Sequence, residues 1–477
     1  MRGKGKGNPA LQILPMLAHE TLYVGIDIGK LTHVAGFISA TLLSRHQRFE
    51  NCPALSFENS REGFRSLVDR ISAYVPLTQV YAVLEVTGHY HRPLLQYLQE
   101  LDIPVYVLHV QERPKGMVKT DKRDALGLAN LLFNQLEKGI QVGDPLQAVR
   151  RLAPPTEAAA QIRGMVYHRY ELIAESTQRK NKLTAICDEV FPEFTVILKN
   201  PNGSTALSIR KRFPTPAALA AASFTTLQEV RGKARMLSDA KLGELQRLAA
   251  QSIGTKDPAR LRGLTFEQEQ LIEELDLIHK HLEQLEGQMT QIVLASREGK
   301  ILLSIPGIGP IQAAVIIAMI GTIANFERPT QLKSYFGWAP TLKQSGKTLD
   351  RAKLSPRGVR VMKQTMYLVV WQAIRLKECE WAKIYQRLVP IKCSYDERTR
   401  RYVGRGKIIG RIAGQIISVI FTLLKKDQET LSKLAPGTLP PEPVLYDPHL
   451  HRHHRAGQYQ STSSEQRPRK LIQFPAH

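Results

Sequence analysis

The chain has 477 residues, 43% of them hydrophobic and 7% aromatic, and carries 66 Lys and Arg against 43 Asp and Glu for a net charge of +23. That length supports two or three domains with real cores, and the basic excess favours a polyanionic partner, nucleic acid ahead of a membrane surface. Cys52, Cys187, Cys379 and Cys393 are scattered without a CxxC pair, which excludes a zinc site or disulfide framework, and no run reaches the roughly 18 apolar residues of a spanning helix. A soluble, cytoplasmic protein associated with the nucleoid is expected.

Residues 1–19 read as a disordered basic leader; Pro15 interrupts its apolar stretch and no small-residue cleavage site follows. Three β-rich runs come next, Leu22–Ile28, Thr32–Ser39 and Leu42–Phe49, short enough to pair as a meander. The pattern then alternates: a helix over Ser60–Tyr74, a strand over Val80–Val86, a helix over Pro93–Leu101, a strand over Val105–Val110 and a helix over Asp121–Leu136. Three antiparallel strands followed by β-α units predict a mixed sheet flanked by helices, a ribonuclease H-like (RuvC-like) domain over 20–140.

Residues 141–263 read as a helical linker region. Its long polar helix, Thr156–Val190, carries Arg163, Arg169, Arg179, Lys180 and Lys182, a set that suits either a solvated face or a nucleic-acid contact. Pro192, Pro201-Asn-Gly and Pro214 then break the chain before short helices over Ala217–Ala249. Apolar residues at 264, 271, 275, 278, 282, 285, 289 and 292 make a heptad seam with a capping box from Thr265 to Gln268, predicting a coiled-coil arm over 264–296. Its partner is another copy of the chain or the helix around 156–190. A helical C-terminal domain over 297–430 follows, then a Pro-, His- and Arg-rich tail over 431–477 in which no core forms. The fold class is α/β plus all-α.

Four carboxylates carry the chemistry. Asp27 and Glu85 each close an apolar strand, and Gly25 and Gly29 let a bulky ligand approach Asp27. Asp121 and Asp124 open a helix three residues apart, near its positive dipole end. Singly, each reads as a loop residue or helix cap. Jointly, on a ribonuclease H-like string of elements, they suit a pair of Mg²⁺ ions and phosphodiester chemistry. Further along, Pro306-Gly307-Ile308-Gly309 reads as a helix-hairpin-helix-like turn whose amides are able to hold a phosphate, or as a plain turn with glycine caps. Two basic runs point to nucleic acid: Lys343, Lys347, Arg351, Lys353, Arg357, Arg360 and Lys363, then Arg398, Arg400, Arg401, Arg405, Lys407 and Arg411. Ser345 lies within the first, in a Gln-Ser-Gly loop, and by residue type alone it is a turn residue.

The strings Glu85-Val-Thr-Gly-His-Tyr, Lys119-Thr-Asp-Lys-Arg-Asp-Ala, Leu303-Ser-Ile-Pro-Gly-Ile-Gly-Pro and Tyr335-Phe-Gly-Trp-Ala-Pro-Thr-Leu-Lys-Gln-Ser-Gly resemble the DEDD-type insertion-sequence transposases, bridge-RNA-guided recombinases, over most of residues 20–426. The resemblance implies that Asp27, Glu85, Asp121 and Asp124 bind metal and that Ser345 is the nucleophile, forming a phosphoserine link that is reused in joining. It also implies donor and target DNA, a guide RNA and a homodimer or tetramer as partners. Two other readings remain at this point: a RuvC-like endonuclease in which metal-activated water attacks, and a non-enzymatic nucleic-acid scaffold whose acids are structural.

Overall fold

The computed structural model describes residues 17, 19–85, 88–108, 120–139, 150–151, 153–231, 237–345, 349–354, 358–435 and 437–449. These fall into two compact units, 1–154 and 155–477.

The N-terminal unit is built on a six-stranded mixed sheet. Leu22–Asp27 (β1) and Thr32–Ile38 (β2) pair antiparallel. The run expected as a third strand is a helix instead, Ala40–His46 (α1), because the Ser39 side chain accepts the Leu42 amide and starts a helical turn. Only Leu42 of that helix is buried. The third strand, Ala54–Glu58 (β3), follows and pairs antiparallel with β2. Ser60 caps Arg61–Ser72 (α2), and Val80–Glu85 (β4) then lies parallel to β1 on its other side. Arg92–Glu100 (α3) leads to Val105–Leu108 (β5), parallel to β4. Asp121–Leu136 (α4) and the short Arg150–Arg151 (β6) complete the order β3-β2-β1-β4-β5-β6. Three antiparallel strands continued by two parallel ones fit the ribonuclease H-like layout.

Helix α4 lies directly on β1 and β2, and glycine makes this possible. A Cβ on Gly25 would collide with the Ala125 carbonyl and the Ala129 amide, and one on Gly36 would meet the Leu126 amide at 2.7 Å. With no side chains between them, backbone packs on backbone.

In the C-terminal unit, Thr156 caps Glu157–Val190 (α5). Phe194–Ile197 (α6) and Ser204–Arg212 (α7) form between the prolines expected only to break the chain, and Pro216–Ala220 (α8), Phe224–Arg231 (α9) and Asp239–Ala250 (α10) follow as the expected short helices. Pro258–Ala295 (α11) runs back along α5: the ion pairs Arg169–Glu286, Arg179–Glu274 and Arg260–Glu189 step in opposite directions along the two helices, so they are antiparallel. The heptad seam therefore finds a partner in its own chain. Leu264, Leu271 and Leu275 share a core with Leu183, Ile186 and Val190, while Met289 and Val293 share another with Ile162 and Val166.

Two expectations change here. Helix α11 starts at Pro258 behind an Asp257 cap, so Thr265 is interior; its hydroxyl donates to the Leu261 carbonyl and makes no capping box. The region expected as a linker is, from Glu157 onward, part of the C-terminal unit, with α6–α10 packed around a core they share with α5 and α11. Prolines broke its helical pattern into pieces too short to be read as a folded body.

Arg297–Leu303 (α12), Pro310–Ile320 (α13) and Pro329–Tyr335 (α14) precede a hairpin of Pro340–Ser345 (β7) and Leu349–Leu354 (β8). Arg360–Ala373 (α15), Glu380–Lys392 (α16), a second hairpin of Ser394–Asp396 (β9) and Arg401–Val403 (β10), and Gly406–Ser432 (α17) follow. Helix α17 is long and apolar enough to cross a membrane, yet 56% of its apolar stretch is buried, with Ile412, Ile416 and Ile420 in the core of this unit. Arg297 ties α12 to α17 through Asp427, with Nε and Nη2 both 2.8 Å from carboxylate oxygens.

The tail differs from expectation up to residue 449. Tyr446 stacks on Trp381 at 5.4 Å, its amide donates to Ser304 Oγ at 2.9 Å, and Glu442 pairs with Lys300. Composition hid this because one aromatic and one buried proline, Pro443, anchor an otherwise polar segment.

Candidate active site

Asp27 and Glu85 end adjacent parallel strands. The β1–β4 register runs from Leu22 opposite Val80 to Ile26 opposite Leu84, so the next step sets Asp27 beside Glu85 on strands about 4.8 Å apart. Glu85 is buried and Asp27 half-buried.

Three successive outward positions of β1 locate α4. Tyr23 meets its C-terminal end: the hydroxyl donates to Glu137 Oε1 at 2.7 Å and the ring packs edge-on to Phe133 at 5.5 Å. Burial and that hydrogen bond raise the Tyr23 pKa above the usual phenol value. Gly25 meets Ala129 and Ala125. Asp27 is the next position on that face, about 6.8 Å further along the strand, and one turn before Ala125, about 6 Å along the helix, stands Asp121. The two steps match, so the start of α4 lies at the end of the sheet that carries Asp27 and Glu85. The helix cap is Thr120, whose hydroxyl accepts the Arg123 amide, so neither Asp121 nor Asp124 serves as the cap. An all-carboxylate donor set at a helix N-terminus suits a hard divalent cation. Among the described residues, no three His, Cys, Asp or Glu side chains are grouped closely enough to hold a metal ion. What the fold provides is a common backbone frame for the four acids.

The turn that follows Asp27 is held from behind. Gly29 donates its amide to Nδ1 of His33, and Asn59 binds the Lys30 carbonyl with its side chain and the Leu31 carbonyl with its amide. His33 is fully buried between Phe57 and Phe64, and burial lowers its pKa, keeping Nδ1 an acceptor. Sequence reasoning missed this residue; a lone histidine in a β-rich run gives no signal until the strands are paired.

Ser345 is the last residue of β7, opposite Leu349, at a strand end rather than in an open loop. Lys343 is paired with Arg351 and Thr341 with Lys353, which brings three of the predicted basic positions onto one hairpin. Lys347 and Arg357 lie outside the described residues. Arg360 opens α15 and is exposed; Arg401 is exposed on β10, and Arg405 precedes α17. Gly307 adopts a φ of +89° and faces α15 so closely that a Cβ would lie 2.7 Å from the Val369 carbonyl and the Ala373 amide. The Gly309 amide donates to Gln312 Oε1 at 3.2 Å. Packing and capping thus account for both glycines.

The arginines of α5 resolve in part. Arg169 and Arg179 are paired with Glu286 and Glu274, while Arg163 and Lys182 remain exposed.

Residues 24–192 match a DEDD transposase model of the IS110 type, and residues 299–386 match the transposase IS116/IS110/IS902 family; the two together take in more than half of the chain. An uncharacterized 43.6 kDa protein of insertion element IS110 from Streptomyces coelicolor is 25% identical over 333 residues, covering 68% of this chain and 74% of the relative. A 44.8 kDa protein of insertion element IS116 from Streptomyces clavuligerus is 23% identical over 73% of this chain and 84% of the relative. A pilin gene-inverting protein from Moraxella bovis is 29% identical over 33% of this chain and 46% of its own length. The acid-bearing sheet end falls within the first matched region, and with both matches in their proper order, the chain belongs to the IS110/IS116/IS902 family of transposases, enzymes that cut and rejoin DNA.

Proposed function

We propose that this transposase breaks and joins DNA through a covalent serine–DNA intermediate, with Asp27, Glu85, Asp121 and Asp124 holding divalent metal, Mg²⁺ by donor chemistry, and Ser345 as the nucleophile. The observation that carries the metal half is the register that sets Asp27 beside Glu85 at the end of the sheet where α4 begins. When bound, the metal supplies Lewis-acid stabilisation of charge on the scissile phosphate. Ser345 Oγ forms the bond to phosphorus as the P–O bond to the leaving strand breaks, and its proton passes to a base or to solvent. Attack by a second strand's hydroxyl then regenerates the serine, so the phosphodiester bond is conserved without an external energy source. Lys343, Arg351, Lys353 and Arg360, with Lys347 and Arg357, stabilise charge on the phosphate and grip the strands. A guide RNA as partner rests on the family resemblance, and sequencing RNA that copurifies with the chain tests it. The pilin gene-inverting relatives extend the same cut-and-rejoin logic to inversion of a segment.

The test uses labelled DNA bearing the ends of the element, with any copurifying RNA, in Mg²⁺. A protein–DNA adduct that survives denaturation is expected, absent in Ser345→Ala and in Asp27→Ala. Mg²⁺ is also expected to raise the melting temperature of the wild-type chain and not that of Asp27→Ala. Cleavage that persists in Ser345→Ala without any adduct would make the enzyme a metal-dependent, water-using nuclease.

A further inference from the structure

Some surface arginines of the C-terminal unit have acidic partners, Arg179 with Glu274, Arg231 with Asp239, Arg247 with Glu244 and Arg260 with Glu189, while Arg163, Arg212 and Arg262 are exposed and, among the described residues, pair with no carboxylate. The ribbon of β9 and β10 gathers three of the unpaired kind within residues 398–401. Arg398, Arg400 and Arg401 are all exposed, and among the described residues no carboxylate pairs with any of them. Asp396 is engaged in the turn, where its Oδ1 accepts the Arg398 amide at 3.0 Å and its Oδ2 accepts the Thr399 hydroxyl at 2.8 Å. Unpaired guanidinium groups clustered on an exposed ribbon are charge held for a polyanion.

The two faces of the ribbon differ as well. Tyr402 sits opposite Tyr395, their rings edge to face at 5.1 Å, and Tyr402 packs against the core, which fixes the ribbon to the body. Arg401 and Val403 alternate with Tyr402 and so share the other face; both are exposed, Val403 by 56%. A two-stranded ribbon fits the B-form major groove, roughly 12 Å wide, where arginine reads guanine and an apolar side chain meets the thymine methyl. The major groove of A-form RNA is too deep and narrow to admit it.

We propose that the β9–β10 ribbon enters the major groove of duplex DNA, with Arg398 and Arg400 on backbone phosphates and Arg401 and Val403 facing base edges. This rests on the reading of the chain as a DNA-joining enzyme and specifies how that enzyme grips intact duplex. The test is the affinity of the full chain for labelled duplex DNA, and for duplex RNA of the same sequence, across a KCl series in EDTA. The triple variant Arg398→Ala/Arg400→Ala/Arg401→Ala is expected to bind DNA at least about tenfold more weakly, with the slope of log affinity against log salt shallower by about 2, and to bind RNA as the wild type does. The corresponding triple lysine variant keeps the wild-type slope. Unchanged DNA affinity and slope, an equal loss on RNA, or a lysine variant as weak as the alanine one would overturn the proposal. Because binding is read without metal, the result is independent of whether the Ser345 adduct forms.

Discussion

Gly25 shows how much of this site depends on a side chain that is not there. Its Cα faces the Ala125 carbonyl and the Ala129 amide of α4, both backbone atoms that no rotamer change moves aside. Gly25→Ala must therefore lift α4, and with it Asp121 and Asp124, away from the strand that carries Asp27. The expected cost is about 3 kcal/mol, at the upper end for overpacking, together with loss of DNA cleavage. Gly127 is the control: it lies on the same helix with nothing within 4 Å, so Gly127→Ala should melt at or above the wild-type temperature and keep activity. Equal melting temperatures for Gly25→Ala and the wild type would show that α4 is not held as described. The acids themselves were legible in the sequence, because apolar strands ending on carboxylates break the usual pattern. The groups that position them were not: Gly25, His33 and Asn59 act through contacts between segments that only strand pairing and helix packing create.

At the scale of elements, periodicity was a good guide to two long helices, though the start of α11, the longest, lies six residues before its expected one. The helices at Glu157–Val190 and Asp121–Leu136 lie within a residue of their expected bounds, and each has a threonine cap. Periodicity failed where one polar residue decided the outcome, as when Ser39 turned an apolar run into α1. The heptad seam of α11 also skips one turn, at Gln268, and the structure shows why. Gln268 Oε1 accepts from both Nε and Nη2 of the buried Arg210, whose other hydrogen bonds reach the carbonyls of Leu183 and Pro201 and, at 3.5 Å, Asn202 Oδ1. One guanidinium thus joins α5, α7, α11 and the turn at Pro201, with neutral oxygens as its partners. Burial lowers the Arg210 pKa, since the charge is removed from water. Arg210→Met keeps the apolar stem but takes the donor from the buried oxygens of Gln268 and Pro201, an expected loss of about 3 kcal/mol. The measurement is urea unfolding followed by far-ultraviolet circular dichroism. A midpoint equal to that of the wild type would mean that the seam, not this network, holds the α6–α10 region together.

For the molecule as a whole, the question is what the segment after α17 adds to the folded unit. A tail rich in Pro, His and Arg predicts no core, and for residues 437–449 that reasoning weighed average composition over anchor residues. Folding needs only enough buried area to offset the entropy of ordering a short strap, and here the remainder of the unit is already ordered. Tyr446 covers Trp381, and the strap's amide and carboxylate reach Ser304 and Lys300 on the segment that leads into the Gly307 turn. A stacked aromatic pair adds about 1 kcal/mol to the burial of the ring itself. Tyr446→Ala should therefore cost about 2–3 kcal/mol. A chain cut after Ser432 should lose at least as much, while Glu442→Ala, which removes only an exposed pair with Lys300, should cost under about 1 kcal/mol. Differential scanning calorimetry of the three variants separates the cases. If the chain cut after Ser432 melts as the wild type does, the strap adds nothing to stability and the C-terminal core is complete at α17.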